Sequence, residues 1–270
     1  MLIEARGLTR DFGGLRALAE VDLAVDSGEI LGLIGPNGAG KTTLFNCLCG
    51  VLRPTAGQIR YRDAFIAGQQ PHRLVGLGIC HTHQIPRPFA EMSVRDNVLV
   101  GAYFGRARRG DAIAEAEEAL AFTGLVGLGA TPASSLTTGQ RKLLEIARAL
   151  ATNPELVLLD EVCGGLNAEE TAHVLDLIRE LPERGVTVIY IEHNMRAVMS
   201  VCDRIAVLNF GRKIAEGPPQ AIAEDPEVIR AYLGAPSAPI PSLLAVRERP
   251  DSSGLRTPQS GGEGQGEGGV

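Results

Sequence analysis

A short glycine-rich segment carries the residue types needed to hold a chain of phosphate groups. Residues 35–43 read Gly-Pro-Asn-Gly-Ala-Gly-Lys-Thr-Thr and directly follow the apolar run Ile30–Ile34. Glycines let backbone N–H groups turn inward around an anion, and a helix placed after the loop adds its positive N-terminal dipole. We expect Lys41 to reach the β- and γ-phosphates and the Thr42 hydroxyl to ligate Mg²⁺. The segment predicts a nucleoside triphosphate site formed by Gly35, Pro36, Asn37, Gly38, Ala39, Gly40, Lys41, Thr42 and Thr43.

Two carboxylates follow a second apolar run. Residues 156–159 are Leu-Val-Leu-Leu, and Asp160 and Glu161 come next. Ligands of open α/β sheets bind at the carboxyl ends of the strands. We expect Asp160 to hold Mg²⁺ through water, and Glu161 to point the other way and polarise a water aimed at the γ-phosphate. An isolated Asp-Glu pair more often caps a helix or faces solvent, and the phosphate loop is what favours catalysis here.

A histidine follows a third apolar run, residues 186–191. His193 is therefore expected at the same sheet edge, where it could donate a hydrogen bond to charge developing on the γ-phosphate. A single histidine at a strand end is more often a surface or capping residue. The phosphate loop expected beside His193 favours a catalytic contact instead. His81 and His83 share one face of a strand, but no further metal ligands are evident, so a metal site is not favoured there.

Hydrophobic patterns predict an α/β fold in three parts. Short alternating runs at 2–8, 21–25 and 58–61 predict an antiparallel sheet flanking the phosphate loop. Helical periodicity over about 86–153 predicts an inserted helical subdomain, with a capping serine at Ser93 and helices at 111–122 and 138–151. Unbroken apolar runs at 156–159 and 186–191 predict buried parallel strands joined by a helix at 168–181, with closing strands at 204–208 and 213–216. Beyond 234 the Gly/Pro/Ser-rich segment 235–270 predicts disorder.

Composition excludes some classes of function. The 26 Lys and Arg against 32 Asp and Glu leave a net charge of −6, which predicts no nucleic-acid partner. No apolar stretch approaches the ~20 residues that span a bilayer, and charges interrupt the first ten positions, so we expect a cytosolic chain that meets membranes only through a partner. The 5 cysteines have no paired spacing, which predicts reduced, mostly buried thiols.

With Gln84 and the segment Leu-Thr-Thr-Gly-Gln-Arg at 136–141, these motifs resemble the nucleotide-binding subunit of an ATP-binding-cassette (ABC) transporter over residues 2–234. The resemblance implies a P-loop NTPase core with ATP and Mg²⁺ as ligands. It implies that Phe12 stacks on adenine, that Gln84 senses the γ-phosphate and Mg²⁺, that Glu161 is the general base and that His193 is the switch histidine. The residues implied to close over ATP bound to a second subunit are Thr137, Gly139 and Gln140.

The family's architecture implies a set of partners. Two ATPase subunits, identical or paralogous, pack head to tail around ATP and part again after hydrolysis. They serve membrane permease subunits, whose coupling helix is expected near residues 84–97, and an external solute-binding protein acts indirectly. The chain would then lie peripherally on the cytoplasmic side of the inner membrane.

Three positions depart from the family pattern. Thr138 replaces a glycine of the signature, Val162 a proline after the catalytic glutamate, and Asn167 an aspartate of the dimer-contact loop. Neither Val162 nor Asn167 removes a catalytic group. A side chain at Thr138 could crowd the γ-phosphate of the partner's nucleotide, which keeps a nucleotide-binding regulatory module without turnover among the alternatives.

The segments 165–167, 191–195 and 225–234 are similar to the ATPases of branched-chain amino acid importers, a group that includes urea and short-amide importers. The ATPase does not touch the cargo, so the residues leave both cargoes open. A soluble cassette ATPase acting on DNA or ribosomes is disfavoured, since the chain shows no second cassette, coiled coil or basic face. A GTPase is disfavoured by the absence of an Asn/Thr-Lys-x-Asp motif, and a kinase by the helix at 140–150.

Overall fold

The computed structural model describes residues 1–106 and 111–233, and the predicted disordered segment 235–270 lies outside them. The strands of this described part are β1 (Ile3–Phe12), β2 (Leu15–Val25), β3 (Ile30–Ile34), β4 (Ala56–Tyr61), β5 (Ala64–Phe65), β6 (Ile79–His81), β7 (Leu156–Asp160), β8 (Thr187–Ile191), β9 (Arg204–Asn209) and β10 (Arg212–Gly217). Its α-helices are α1 (Lys41–Leu48), α2 (Pro71–Leu77), α3 (Val94–Phe104), α4 (Ala112–Phe122), α5 (Thr138–Leu150), α6 (Ala168–Glu180), α7 (Met195–Val201), α8 (Pro219–Glu224) and α9 (Pro226–Leu233).

A six-stranded sheet in the order β10-β9-β3-β8-β7-β6 occupies the centre of the fold. All of its pairings are parallel except that of β10 with β9. Every residue of β3, β7 and β8 is buried, as expected of strands covered on both faces. The pairing of Ile191 with both Asp160 and Leu33 brings the ends of these three strands to one edge. The predicted buried parallel strands are confirmed.

A four-stranded antiparallel sheet in the order β2-β1-β4-β5 packs on one face of the central sheet, together with α1. The prediction of this sheet is confirmed, although β1 and β2 run several residues longer than expected. Register shifts interrupt the β1–β2 pairing after Ala5, Leu8 and Arg10. Each shift breaks the period-2 alternation on which the sequence prediction depends, so the strand ends were not visible in the pattern.

The opposite face of the central sheet is covered by α6, α7, α8 and α9, which contribute Val174, Val198, Ile222 and Val228 to one apolar cluster. The predicted crossover helix at 168–181 is confirmed as α6. The short helices α2, α7, α8 and α9 were not predicted. At six to eight residues each, they show too few turns for a 3.6-residue period to stand out.

Helices α3, α4 and α5 form a third cluster of their own, centred on residues such as Val98, Ala116 and Leu144. Ser93 accepts a hydrogen bond from the backbone N–H of Asp96 and begins α3, as predicted. The helices expected at 111–122 and 138–151 are confirmed as α4 and α5. The boundaries of a helical subdomain at 86 and 153, and of the whole ATPase domain at 234, stay predictions.

All 5 cysteines are free and buried, which confirms the prediction of buried thiols. Within residues 1–106 and 111–233, none of the helices combines the length and apolar character needed to cross a bilayer.

Candidate nucleotide-binding and catalytic site

The phosphate loop leaves β3 and enters α1 through backbone that only glycine tolerates well. Gly40 precedes α1 with φ +102°, and a Cβ placed on it would lie 2.6 Å from the carbonyl oxygen of Ala17. The loop is also tied to the turn between β9 and β10, where the N–H of Gly211 donates to the carbonyl of Ala39 over 2.9 Å. Gly211 in turn accepts from the N–H of Ala19 in β2 over 2.8 Å. The loop is thus held from both sheets.

Lys41 is folded onto this loop. Its ammonium donates to the carbonyl oxygens of Gly35 at 2.6 Å and Pro36 at 3.0 Å, and the residue is buried. Burial lowers the pKa of Lys41, while the carboxylates of Glu161 and Asp160 oppose that shift. Asn37 and Thr42 are exposed on the open side of the loop. The ammonium of Lys41 therefore lies against the phosphate loop, beside the positive N-terminal end of α1.

Asp160 ends β7 as a buried carboxylate without an ion-pair partner within 4.0 Å in the described residues. Burial, and then the charge of Glu161, raise the pKa of Asp160 to about 6. The ionised carboxylate of Asp160 therefore has no cationic partner in direct contact within the described chain, and a bound cation would stabilise it. With the Thr42 hydroxyl and the Gln84 amide it would make an all-oxygen donor set of the kind that Mg²⁺ prefers, so the residues fit that ion.

The raised pKa of Asp160 predicts a pH-dependent stability of the nucleotide-free chain. Because the folded pKa lies above the ordinary 3.8, ionisation costs the native state free energy, increasingly as pH rises through about 6. In nucleotide-free, Mg²⁺-free buffer, we expect Asp160→Asn to raise the free energy of unfolding at pH 7.5 by about 1–3 kcal/mol. The gain should shrink at pH 4.5, where the native carboxyl is protonated.

Urea unfolding followed by circular dichroism at both pH values measures this effect. Asp63→Asn, at a fully exposed aspartate, is the matched control and should change the free energy of unfolding by less than about 0.5 kcal/mol. A lower stability of Asp160→Asn at pH 7.5 would show that the buried carboxylate is stabilising instead.

The three predicted catalytic side chains meet at the end of β7. Glu161 accepts a hydrogen bond from the amide of Gln84 at 2.5 Å, and its other oxygen lies 2.5 Å from Nε2 of His193. Gln84 and His193 are exposed, whereas the side chain of Glu161 keeps only 21 % of its surface exposed. The structure therefore brings Gln84, Glu161 and His193 together around one carboxylate, next to the loop that carries Lys41.

A buried carboxylate that the sequence analysis did not single out supports this cluster. Glu192 accepts from the backbone N–H groups of His193 at 2.9 Å, Asn194 at 3.4 Å and Cys163 at 3.0 Å. It therefore joins the segment after β7 to the segment after β8. Its place directly between a buried strand and His193 was a signal that could have drawn attention to it.

The residues before Gln84 are anchored to helix α5. Nδ1 of His83 lies 2.8 Å from Glu145, whose other oxygen lies 3.4 Å from Arg148. His81 packs edge-on against Phe45 of α1, and burial lowers the pKa of His81 to about 4. Both histidines thus make contacts within the fold, and no cluster of three or more metal-ligating side chains occurs in the described ranges 1–106 and 111–233.

The predicted signature residues lie at the start of α5. Thr137 accepts from the N–H of Gln140 at 3.2 Å, and the Gln140 side chain accepts from the N–H of Thr137 at 3.0 Å, which forms a capping box. Thr138 is exposed. In the described part of the chain, no hydrogen bond or ion pair joins these residues to the phosphate loop. Thr137 and Thr138 are therefore open to a second molecule, whereas Gly139 is buried against the side chain of Glu170 in α6.

The predicted adenine-stacking residue lies at the end of β1. Phe12 is 42 % exposed, and the guanidinium carbon of Arg10 lies 4.5 Å from its ring centre. One face of the ring is therefore covered by a cation, which leaves the other for a flat ligand.

The site has a phosphate loop after a buried parallel strand, and a carboxylate pair and a histidine at the ends of the neighbouring strands. This arrangement defines a P-loop nucleotide-binding protein. Its fold adds an antiparallel sheet and an inserted helical layer. The chain belongs to the ABC transporter family, whose model matches residues 18–164. Members of this family are ATP-hydrolysing transporter subunits, and the chain is an ABC-type ATPase. A second model, described as branched-chain amino acid ATP-binding cassette transporter, matches residues 212–238.

Individual relatives agree with this assignment. The high-affinity branched-chain amino acid transport ATP-binding protein LivG of Escherichia coli (strain K12) is 41 % identical over 249 residues, covering 86 % of this chain and 98 % of LivG. BraF of Pseudomonas aeruginosa, which carries the same description, is 40 % identical over 250 residues, with the same coverage of 86 % and 98 %. A crystal structure of the ADP conformation of an ATP-binding cassette of an ABC transporter is 31 % identical, with a TM-score of 0.79 over 87 % of this chain and 99 % of that one.

Proposed function

We propose that this chain is the ATP-hydrolysing subunit of an importer for branched-chain amino acids. The observation that carries the proposal is the cluster of Gln84, Glu161 and His193 beside the phosphate loop. The cargo is supported by the identity to LivG and BraF and by the family match at residues 212–238. These relatives favour branched-chain amino acids over urea or short amides, which remain the alternative cargo.

In the proposed reaction, Lys41 and the loop N–H groups bind the β- and γ-phosphates, and Phe12 stacks on adenine. Thr42, Gln84 and Asp160 would hold Mg²⁺, which would supply positive charge to neutralise the phosphates. Glu161 takes a proton from the attacking water, and His193 donates a hydrogen bond to the γ-phosphate as its charge develops. The contacts of the Glu161 carboxylate with Gln84 and His193 fix its position, which supports its role as the general base.

A second ATPase subunit is part of the proposal. The start of α5, with Thr137, Gly139 and Gln140, would close over ATP bound to the partner's phosphate loop, because the N–H groups of a helix N-terminus suit a phosphate. ATP then favours the closed dimer, and loss of the γ-phosphate lets the two subunits part. The dimer would bind permease subunits near residues 84–97 and lie peripherally on the cytoplasmic face of the membrane. An external binding protein would deliver the solute.

The test is solute uptake by cells that lack their own branched-chain amino acid transport. Expression of the full chain with the permease and solute-binding subunits of a branched-chain amino acid importer should restore uptake of labelled leucine. The matched control carries Glu161→Gln and should restore none. Uptake of labelled urea in place of leucine would reassign the cargo, and export of leucine from preloaded cells would contradict an importer. The chain should sediment with membranes only when the permease is present.

A further inference from the structure

A lysine of α5 is buried beside the backbone of the proposed general base. Lys142 keeps only 6 % of its surface exposed, and its ammonium donates to the carbonyl oxygen of Glu161 over 2.6 Å. Within the described residues it forms no ion pair shorter than 4.0 Å. Burial lowers the pKa of Lys142, and the attraction of Glu192 and other nearby acidic groups opposes that shift. A buried ammonium whose hydrogen-bond acceptor is neutral costs free energy, so packing alone does not account for it.

The carbonyl that Lys142 contacts belongs to a strained residue. Glu161 has φ +48°, in the left-handed region, which is unfavourable for any residue that carries a side chain. Its N–H donates to Ile191 over 2.9 Å, and its carbonyl also accepts from the N–H of Gly164 over 3.1 Å. These contacts hold the backbone angle that aims the Glu161 side chain at Gln84 and His193.

The position of Lys142 is also coupled to the position of helix α5. Lys142 lies five residues after Thr137, which is about 1.4 helical turns, and Thr137 caps the helix to which Lys142 belongs. A movement at the exposed start of α5 therefore carries Lys142 with it and changes the pull on the Glu161 carbonyl. The contact joins the surface proposed to meet the partner's nucleotide to the catalytic carboxylate of the same chain.

We propose that Lys142 is a positioning residue for Glu161, through which the docking of a second subunit on the start of α5 orients the general base. The proposal rests on the proposed function, in which Glu161 takes the proton from water. Lys142 touches neither nucleotide nor water in this role. It should therefore affect the rate of hydrolysis and leave nucleotide affinity unchanged.

The test is MgATP hydrolysis by the full chain with Lys142→Gln and Lys142→Arg. We expect Lys142→Gln to lower kcat about tenfold, within the roughly 100-fold that a 1 Å misplacement can cost, with KM for ATP unchanged. Lys142→Arg keeps a cationic donor and should recover most of the rate. The matched control is Lys213→Met. This lysine pairs with Glu216 on the edge strand β10, separated from β7 by three strands, and the substitution should leave kcat unchanged.

The same measurement in a Glu161→Gln background separates the possible outcomes. If Lys142 acts through Glu161, Lys142→Gln should add little to the loss caused by Glu161→Gln alone. An equal additional loss in that background, or a raised KM in place of a lowered kcat, would overturn the positioning role. An unchanged kcat for Lys142→Gln would do the same while leaving the proposed function intact. If Glu161→Gln itself hydrolyses ATP at the normal rate, the proposed function fails first.

Discussion

Replacing Glu161 with glutamine should lower kcat for ATP hydrolysis by about 10²–10⁴. Glutamine keeps the shape of the side chain and can still contact Gln84 and His193, but its amide cannot accept the proton of the attacking water. Binding should survive, because Lys41, Phe12 and the loop N–H groups are unchanged. We expect a variant that binds MgATP with nearly normal affinity, stays dimeric in its presence and releases phosphate very slowly.

Phosphate release under saturating ATP, together with light scattering with and without MgATP, checks both parts of this expectation. Glu169→Gln on α6 is a suitable control, because this exposed carboxylate in the first turn of that helix has no contact with the catalytic cluster in the described chain. Normal turnover by Glu161→Gln would remove it from the reaction. A monomer in the presence of MgATP would instead argue against the proposed closing of two subunits.

Removal of the Lys41 ammonium should weaken MgATP binding by about 10–100-fold, which corresponds to the loss of a hydrogen bond to a charged group. Lys41→Met keeps most of the buried stem and removes the donor. Because the ammonium is expected at the β- and γ-phosphates, the loss should be large for ATP and ADP and small for AMP. That difference separates a direct phosphate contact from a general collapse of the loop.

Isothermal titration of each nucleotide against the full chain measures this effect, and thermal unfolding establishes that the variant is folded. Lys213→Met again supplies a lysine substitution away from the site and should bind all three nucleotides normally. An equal loss for AMP would show that Lys41 maintains the loop through its bonds to Gly35 and Pro36. Unchanged ATP affinity would remove Lys41 from the phosphate site.

Local patterns predicted a large part of this fold. The glycine-rich loop, the buried runs of β7 and β8 and the cap at Ser93 all depend on neighbouring residues, and the structure has each of them where the pattern indicated. The antiparallel strands were underestimated because register shifts break their alternation. The strands before Glu161 and His193 predicted that these two side chains lie at one sheet edge, whereas the place of Gln84 beside them was implied only by the family resemblance.

The supporting contacts could not be predicted in the same way. Lys142 and Glu145 fall on the buried face of α5, where two charged residues among apolar ones are a visible anomaly. Their partners lie 19 and 62 positions away in the sequence, and no local period specifies such pairs. Sequence reasoning could therefore have flagged these side chains as unusual without naming what they hold.

The double contact of Gly211 has a consequence for nucleotide selection. Its N–H holds the loop that would receive the phosphates, and its carbonyl holds β2, whose neighbour β1 carries Phe12. A Cβ on Gly211 would lie 2.7 Å from the carbonyl oxygen of Ala17, so the two sheets meet here without room for a side chain. If Phe12 and the phosphate loop hold the two ends of a nucleotide, as proposed, we expect these contacts to fix the distance between them in the folded protein, so that ligands of a different length bind poorly.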